Sequence, residues 1–291
     1  MSVIRVASFS ISGTEVMYAV LPYPMYSKAE FYRVPVSGGT PSKITETIAI
    51  PRKIAATDTQ VLWIDETSLQ SAPLSGGSAS LVAGDLDSPV DLLLTGDSAY
   101  WLETVCCAHG QKGKLRTAGL QGGEVTTLAE NLNAPGRLAR GPGSLYWTEG
   151  GPIGLIEGFG RVARLPIIGG AVRTAVSGIT ADTPNIAVAG GYVYVADQFT
   201  IKRMRTTPGT TELVALADNY VADLVTDGIH VYWADEQFGT IYRVPVAGGT
   251  PELLSGSPPL GPVGRIRLAG DYVYWMVNDD TLRRVQKSGG T

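Results

Sequence analysis

Short apolar runs alternate with polar residues along the whole chain, and the runs recur with a long period. Residues 231–254, "VYWADEQFGTIYRVPVAGGTPELL", echo 145–176, "LYWTEGGPIGLIEGFGRVARLPIIGGAVRTAV", and 16–44, "VMYAVLPYPMYSKAEFYRVPVSGGTPSKI". Trp63, Trp101, Trp147, Trp233 and Trp275 share one register, with Tyr18 and Val195 in the same place in two further copies. That makes seven copies, spaced by 38 to 48 residues. Each copy predicts four short strands. An apolar strand such as "RIRLAG" or "NIAVAG" passes through a tight turn into "VYW". A loop of variable length leads to "YRVPV", and a Gly-Gly turn leads to "PELL". The runs are β-branched or aromatic and are bounded by Gly, Pro and Asn, as strands are.

Four strands in a repeat of about 40–45 residues is the pattern of a β-propeller blade. The expected fold is therefore all-β, a seven-bladed β-propeller of four-stranded blades forming one domain over residues 1–291. The last copy stops at "RRVQKSGGT", a turn after its third strand, while the N-terminus carries a surplus strand, "SVIRVA". Residues 2–7 are therefore expected to complete the last blade and close the ring, which would remove an exposed edge.

The repeats resemble the YWTD-type propellers of low-density-lipoprotein-receptor ectodomains and their bacterial relatives. The residues that carry the likeness are Tyr100-Trp101-Leu102-Glu103, Tyr146-Trp147-Thr148-Glu149 and Tyr232-Trp233-Ala234-Asp235, with the "RVP..GGTP" turn as a second shared feature. The resemblance spans the chain and implies the fold. The receptor propellers have six blades against seven here, so it carries no binding site across.

Composition fits strands and turns: 17% charged residues, with 36 Gly and 18 Pro among 291 residues. The net charge is −4 and no basic cluster occurs, which argues against a nucleic-acid partner. No apolar stretch reaches the length of a membrane span. The start, "MSVIRVASFS", lacks the basic end and long apolar core of a signal peptide, and the compartment stays open, secretion or a periplasmic location included. A monomer without cofactor or metal is expected.

The repeat separates scaffold from candidate site. Arg33, Arg164, Arg203, Arg243 and Arg284 share one register, and Asp65, Glu103, Glu149, Asp197 and Asp235 another. Recurrence in most copies marks both sets as groups that hold blades together, and the tryptophans as core. His230, after a tight turn, is read as structural too. A third register varies in identity but stays polar: Ser8, Lys53, Asp91, Arg137, Asn185, Asp223 and Arg265. The next position is apolar throughout: Phe9, Ile54, Leu92, Leu138, Ile186, Leu224 and Ile266. Period-two alternation puts the two sets on opposite faces of the innermost strand. The polar set is expected to ring one mouth of the central channel, with Arg267 two residues further along the last copy. The ring with Arg267 carries four positive charges and two negative. It reads either as a solvated mouth or as a ligand cup.

Loops after "VYW" are long in three copies, "LPYPMYSKAE", "LETVCCAHGQKG" and "TEGGPIGLIEGFG", while the Gly-Gly turns at the other end hardly change. Loop variation on one face of a rigid scaffold marks the working face. Tyr23, Tyr26 and Phe159 are candidate walls of the cup, and His109 is the one histidine expected on that face. Cys106 and Cys107 allow three readings: free thiols, a strained vicinal disulfide, or with His109 a soft-metal site lacking a fourth ligand. The first functional reading is a propeller holding a polar, anionic small-molecule or peptide ligand. Its ligand-binding residues are Lys53, Asp91, Arg137, Asn185, Asp223, Arg265, Arg267, Tyr23, Tyr26 and His109. In this reading Arg137, Arg265 and Arg267 grip the anion, for which the planar guanidinium fork is suited. The alternatives are a protein-interaction scaffold using the same face, and a propeller enzyme of the lyase, hydrolase or cyclase kind. No catalytic motif rises above background.

Overall fold

The computed structural model describes residues 4–22, 28–105, 112–150, 160–179, 185–197, 199–206, 210–256, 263–277 and 281–289. Their regular structure is all strand: 27 strands in seven antiparallel sheets, each made of consecutive strands. The fold is a seven-bladed β-propeller. No helix long and apolar enough to cross a membrane occurs among the described residues. Chain contacts separate two units, Met1–Pro135 and Gly136–Thr291.

The first unit holds three four-stranded sheets. Sheet 1 is Ile4–Ser12, Glu15–Pro22, Ala29–Pro35 and Ser42–Thr47; sheet 2 is Lys53–Ala56, Gln60–Ile64, Leu69–Pro73 and Ser80–Ala83; sheet 3 is Pro89–Thr95, Ser98–Val105, Lys112–Gly119 and Thr126–Asn133. In sheet 2 the second strand is the most deeply buried, with Val61, Leu62, Trp63 and Ile64 all fully enclosed. Trp63 packs on Phe31 of sheet 1 with ring centroids 4.4 Å apart. Trp101 joins Leu62, Ile64, Leu69, Val82 and Ala83 of sheet 2 in one cluster. Each indole thus fastens its own sheet to the preceding one, and removing a buried one would cost about 3–5 kcal/mol.

The second unit holds sheets 4 to 7. Sheet 4 is Pro135–Gly141, Ser144–Glu149, Gly160–Pro166 and Arg173–Ile179; sheet 5 is Asn185–Ala189, Tyr192–Asp197, Thr200–Arg205 and Glu212–Leu216. Sheet 6 is Val221–Thr226, His230–Asp235, Ile241–Pro245 and Glu252–Ser255; sheet 7 is Val263–Ala269, Tyr272–Val277 and Thr281–Gln286. Trp147, Trp233 and Trp275 are buried.

The register read from the sequence is the register of the sheets. Ile54 lies opposite Trp63, Leu92 opposite Trp101, Leu224 opposite Trp233 and Ile266 opposite Trp275, with Phe9–Tyr18 and Ile186–Val195 in the same register. The Gly-Gly turns need glycine twice. At Gly38-Gly39, Gly76-Gly77, Gly169-Gly170 and Gly248-Gly249 the first φ is 93–96° and the second 131–145°, where a Cβ is strained.

The expected closing strand is corrected by the pairing. Ile4, Arg5 and Val6 lie opposite Pro22, Leu21 and Val20 in sheet 1, and after an irregularity Ser8 continues the same strand opposite Ala19. Val6 is buried and Ala7 packs on the Met17–Phe31–Trp63 core. Residues 4–7 are thus the start of the first strand of sheet 1, where Val6 and Ala7 find apolar cover. Sheet 7 consists of three strands among the described residues.

Candidate functional site

Five members of the polar register on the first strands are buried. Ser8, Lys53, Asp91, Asn185 and Asp223 are only 3–8% exposed. The side chains of Ser8, Lys53, Asn185 and Asp223 run sideways to the next first strand. In the first unit the Ser8 hydroxyl accepts the Ile54 N–H at 3.3 Å, and the Lys53 ammonium is paired with the Asp91 carboxylate. In the second unit Asn185 Nδ2 donates to the carbonyls of Val221 and Ala222 at 3.2 and 3.0 Å. Asp223 accepts the Ile266 N–H at 3.1 Å and Arg267 Nη1 at 3.2 Å, and its other oxygen caps the Leu224 N–H at 3.0 Å. Varied identity is thus compatible with a shared structural task, since each pair of strands is joined by different chemistry. Arg137, Arg265 and Arg267 are half-buried. Arg267 also donates to the Ile266 carbonyl at 2.6 Å, and the Arg137 N–H is received by Thr148 Oγ1 at 2.8 Å.

The repeated arginines hold neighbouring sheets at the turn end. Arg164 Nη1 reaches the Thr206 carbonyl at 2.9 Å, Arg203 Nη1 the Val246 carbonyl at 2.6 Å, and Arg243 Nη1 the Lys287 carbonyl. These acceptors are the residues that follow the third strand of the next sheet. Arg203 and Arg243 also grip Glu212 and Glu252 on their own outer strands, at 2.6 and 2.7 Å.

The repeated acids are buried and serve three local purposes. Asp65 caps the N–H groups of Thr67 and Ser68, and Asp235 those of Gln237 and Phe238, at 2.8–2.9 Å. Glu103 and Glu149 reach back to the indole N–H of Trp101 and Trp147, at 2.7 and 2.9 Å, and pair with Arg116 and Arg161. Asp197 pairs with Lys202 at 2.6 Å.

The loop end of the second unit carries a feature that sequence reasoning missed. Phe199, Leu216, Tyr220 and Phe238 are 43%, 63%, 55% and 40% exposed. Phe199 and Tyr220 lie with ring centroids 4.6 Å apart. Backbone bonds tie the three connections together: Ala217 N–H to the Phe199 carbonyl at 2.8 Å, and Glu236 N–H to the Tyr220 carbonyl at 2.9 Å. The aromatics therefore sit on a braced surface. In the first unit Ile50, three residues before Lys53 as Tyr220 is three before Asp223, is exposed as well, beside Ile48. For Phe199 and Phe238 the sequence signal is a large apolar residue inside each of the short loops "DQFT" and "DEQFGT". Tyr23, Tyr26, His109, Phe159, Cys106 and Cys107 lie outside the described residues. Among the described residues no group of three His, Cys, Asp or Glu side chains is placed to hold a metal.

A charged network marks the outer strands of sheet 1. Lys43 pairs with Glu30 at 2.7 Å and Glu46 at 2.8 Å, and Lys28 with Glu46 at 2.9 Å. The hydrogen bond from Lys43 holds the Glu46 carboxyl down at about 2, and Lys43 likewise lowers Glu30. Bonding to both glutamates raises Lys43.

No protein-family model matches the chain, and no curated sequence matches it. Solved structures do. The chain is similar to a chain of the nidogen/laminin complex, at 19% identity and TM-score 0.55 over 75% of this chain and 86% of that one. It is similar to a catalytically inactive virginiamycin B lyase from Staphylococcus aureus with quinupristin, at 10% identity and TM-score 0.72 over 98% of each chain. It is also similar to YCF48 bound to a peptide, at 13% identity and TM-score 0.71 over 98% of this chain and 94% of that one. Identities this low speak for the propeller fold, the YWTD-type likeness included, and not for an activity.

Proposed function

We propose that this propeller is a binding protein that takes a protein or peptide partner on its loop end, in the second unit, against Phe199, Leu216, Tyr220 and Phe238. The observation that carries the reading is the exposed, braced aromatic pair Phe199–Tyr220. Aromatic side chains held rigid lose little entropy on binding and are enriched among residues that dominate interface energy. Most of the buried polar register, by contrast, is engaged in joining strands. Propeller neighbours found with a peptide or a protein, YCF48 and the nidogen/laminin complex, are in keeping with this use.

A second reading keeps a specific support. Arg137 and Arg265 are less buried than the rest of their register and lie near the loop end of first strands in the second unit, and Arg267, two residues beyond Arg265, is half-buried as well. They would receive an anionic small molecule or an acidic side chain, with charge-assisted hydrogen bonds as the attraction. Lys53, Asp91, Asn185 and Asp223 would then set the position of the strands.

A phage-displayed peptide library, selected on the purified protein, separates the two. Selected peptides are expected to lose at least tenfold in affinity with Phe199→Ser/Tyr220→Ser and to bind Arg265→Ala/Arg267→Ala as they bind wild type. The reverse pattern would replace the first reading by the second.

A further inference from the structure

The tryptophan register is broken at Val195, and the structure has a cavity of about 410 Å³ beside it. Its lining includes Val176 and Ile179 of sheet 4 and Val195, Asp197, Lys202 and Leu213 of sheet 5. The volume lies within the range of about 300–1,000 Å³ usual for small-molecule sites.

Sheets 3 and 4 show what normally occupies this place. In sheet 3 the Trp101 indole packs on Val82 and Ala83 of the preceding outer strand. Its N–H donates to Glu103 Oε1 at 2.7 Å. Arg116, directly opposite Trp101 in the ladder, bonds the same oxygen at 3.0 Å and stands 5.8 Å over the indole ring. Sheet 4 repeats the indole-to-carboxylate bond at 2.9 Å, with Arg161 on Glu149. In sheet 3 the arrangement is a ring between apolar walls, a carboxylate at its N–H edge and a cation near its face; sheet 4 shares the carboxylate, with its arginine opposite Glu149 instead.

Sheet 5 retains every part except the ring. Val195 packs with Val176 and Ile179, as Trp101 packs with Val82 and Ala83. Lys202 lies opposite Val195 in the ladder, in the place of Arg116. Asp197 takes the carboxylate position, two residues after Val195, and pairs with Lys202 at 2.6 Å. In sheet 3 a carboxylate paired with a cation also accepts an indole N–H. In sheet 2, where the residue is Asp65, the carboxylate caps its own loop and the Trp63 N–H meets no acceptor among the described residues, so the ring in sheet 5 would have to shift toward the shorter side chain to reach Asp197. Asp is one methylene shorter than Glu, which widens the polar end. The Lys202 side chain is 36% exposed, and Leu213 at the rim is exposed, so the space is reached from solvent.

The geometry points to a binding site between sheets 4 and 5 for a flat aromatic heterocycle of indole size bearing a ring N–H. The ring would lie on Val176, Ile179 and Val195, direct its N–H at Asp197, and present its face to Lys202, an arrangement in which an ammonium is attracted by the π-system. The site is separate from the loop-end surface and does not depend on that reading.

Indole is the probe, with 1-methylindole as the comparator lacking the donor. Calorimetric titration of the wild-type protein is expected to show saturable, one-to-one indole binding and a rise in melting temperature. The affinity for 1-methylindole should be at least fivefold lower. Val195→Trp, which supplies the ring from within, should abolish indole binding while keeping or raising the melting temperature. Val195→Phe provides the same test should the tryptophan variant not fold. Asp197→Ala, which removes the acceptor, should bring the two probes to similar affinity. Absence of saturable indole binding up to its solubility, or unchanged binding to a folded Val195→Trp or Val195→Phe, would overturn the site. Equal affinity of the wild type for both probes would overturn the role of Asp197.

Discussion

Within the second unit, the turn end and the loop end of the same sheets follow different rules. At the turn end each sheet repeats its neighbour. Gly169-Gly170 and Gly248-Gly249 adopt nearly the same pair of φ angles, and Arg164, Arg203 and Arg243 each reach a carbonyl in the next sheet. At the loop end nothing repeats in full. The buried acid caps its own loop as Asp235, serves an indole as Glu149 and pairs with a lysine as Asp197. Exposed rings appear on some connections and not on others. A contact that recurs in several copies is constrained by the packing of sheet on sheet. A side chain present in one or two copies is free of that constraint, and there function can be placed.

The comparison can be broken first at the polar register, where the largest effect is expected. Asp91→Ala leaves the buried Lys53 ammonium without its carboxylate and should destabilise by about 3–5 kcal/mol. Replacing both, as Lys53→Met/Asp91→Leu, should recover most of that loss, because the desolvation of two charges is removed together. Denaturant unfolding of the three variants measures it. A loss under 1 kcal/mol for Asp91→Ala would mean that the register does not hold first strands together.

A smaller effect is expected at the turn end. Arg203→Ala removes a charge-assisted bond to the Val246 carbonyl and the pair with Glu212, and should cost about 2 kcal/mol. Thermal melting should show Arg203→Lys recovering only part of this, since the lysine lacks the fork that reaches both acceptors. At the loop end, Phe199→Ser/Tyr220→Ser should change stability by less than about 1 kcal/mol, as exposed positions do. A cooperative collapse of this variant would reassign the aromatics to the core.

The smallest effect concerns pH. Glu46 is held at about 2 against an ordinary value of 4.5, and Glu30 is lowered as well. A depressed carboxyl contributes stability above its unfolded value and loses it as pH falls through the folded one. The stability difference between wild type and Lys43→Met should therefore be present at pH 6 and fade between about pH 4.5 and 2. The groups are exposed, so the difference should be slight and should shrink in high salt. A difference that grows on acidification would contradict the pairing.

The sequence displayed the fold well because a repeat supplies its own alignment. Seven copies of one hydrophobic pattern located the strands, the Trp register and the stitching arginines. It misplaced residues 4–7, whose alternation suits either edge; only the presence of Leu21 and Val20 as ladder partners and the Met17–Phe31–Trp63 core decides between them. The polar register was legible as a set, but its burial was not. Alternation distinguishes the two faces of a strand and does not say that the next strand lies within hydrogen-bond reach. The exchange at Val195 was visible too, yet a missing ring becomes a cavity only when the neighbours fail to close over it. The Phe199–Tyr220 pair joins residues 21 positions apart, one on a connection within sheet 5 and one on the connection from sheet 5 to sheet 6, and no local pattern reports it.

The most direct test of loop-end binding is amide hydrogen exchange on the wild-type protein, with and without the tightest peptide from the displayed library. The account predicts slowed exchange confined to the connections around Phe199, Leu216–Tyr220 and Glu236–Phe238, with the first strands carrying Arg137, Arg265 and Arg267 unchanged. Protection centred on those arginine strands, with the aromatic connections unaltered, would contradict it.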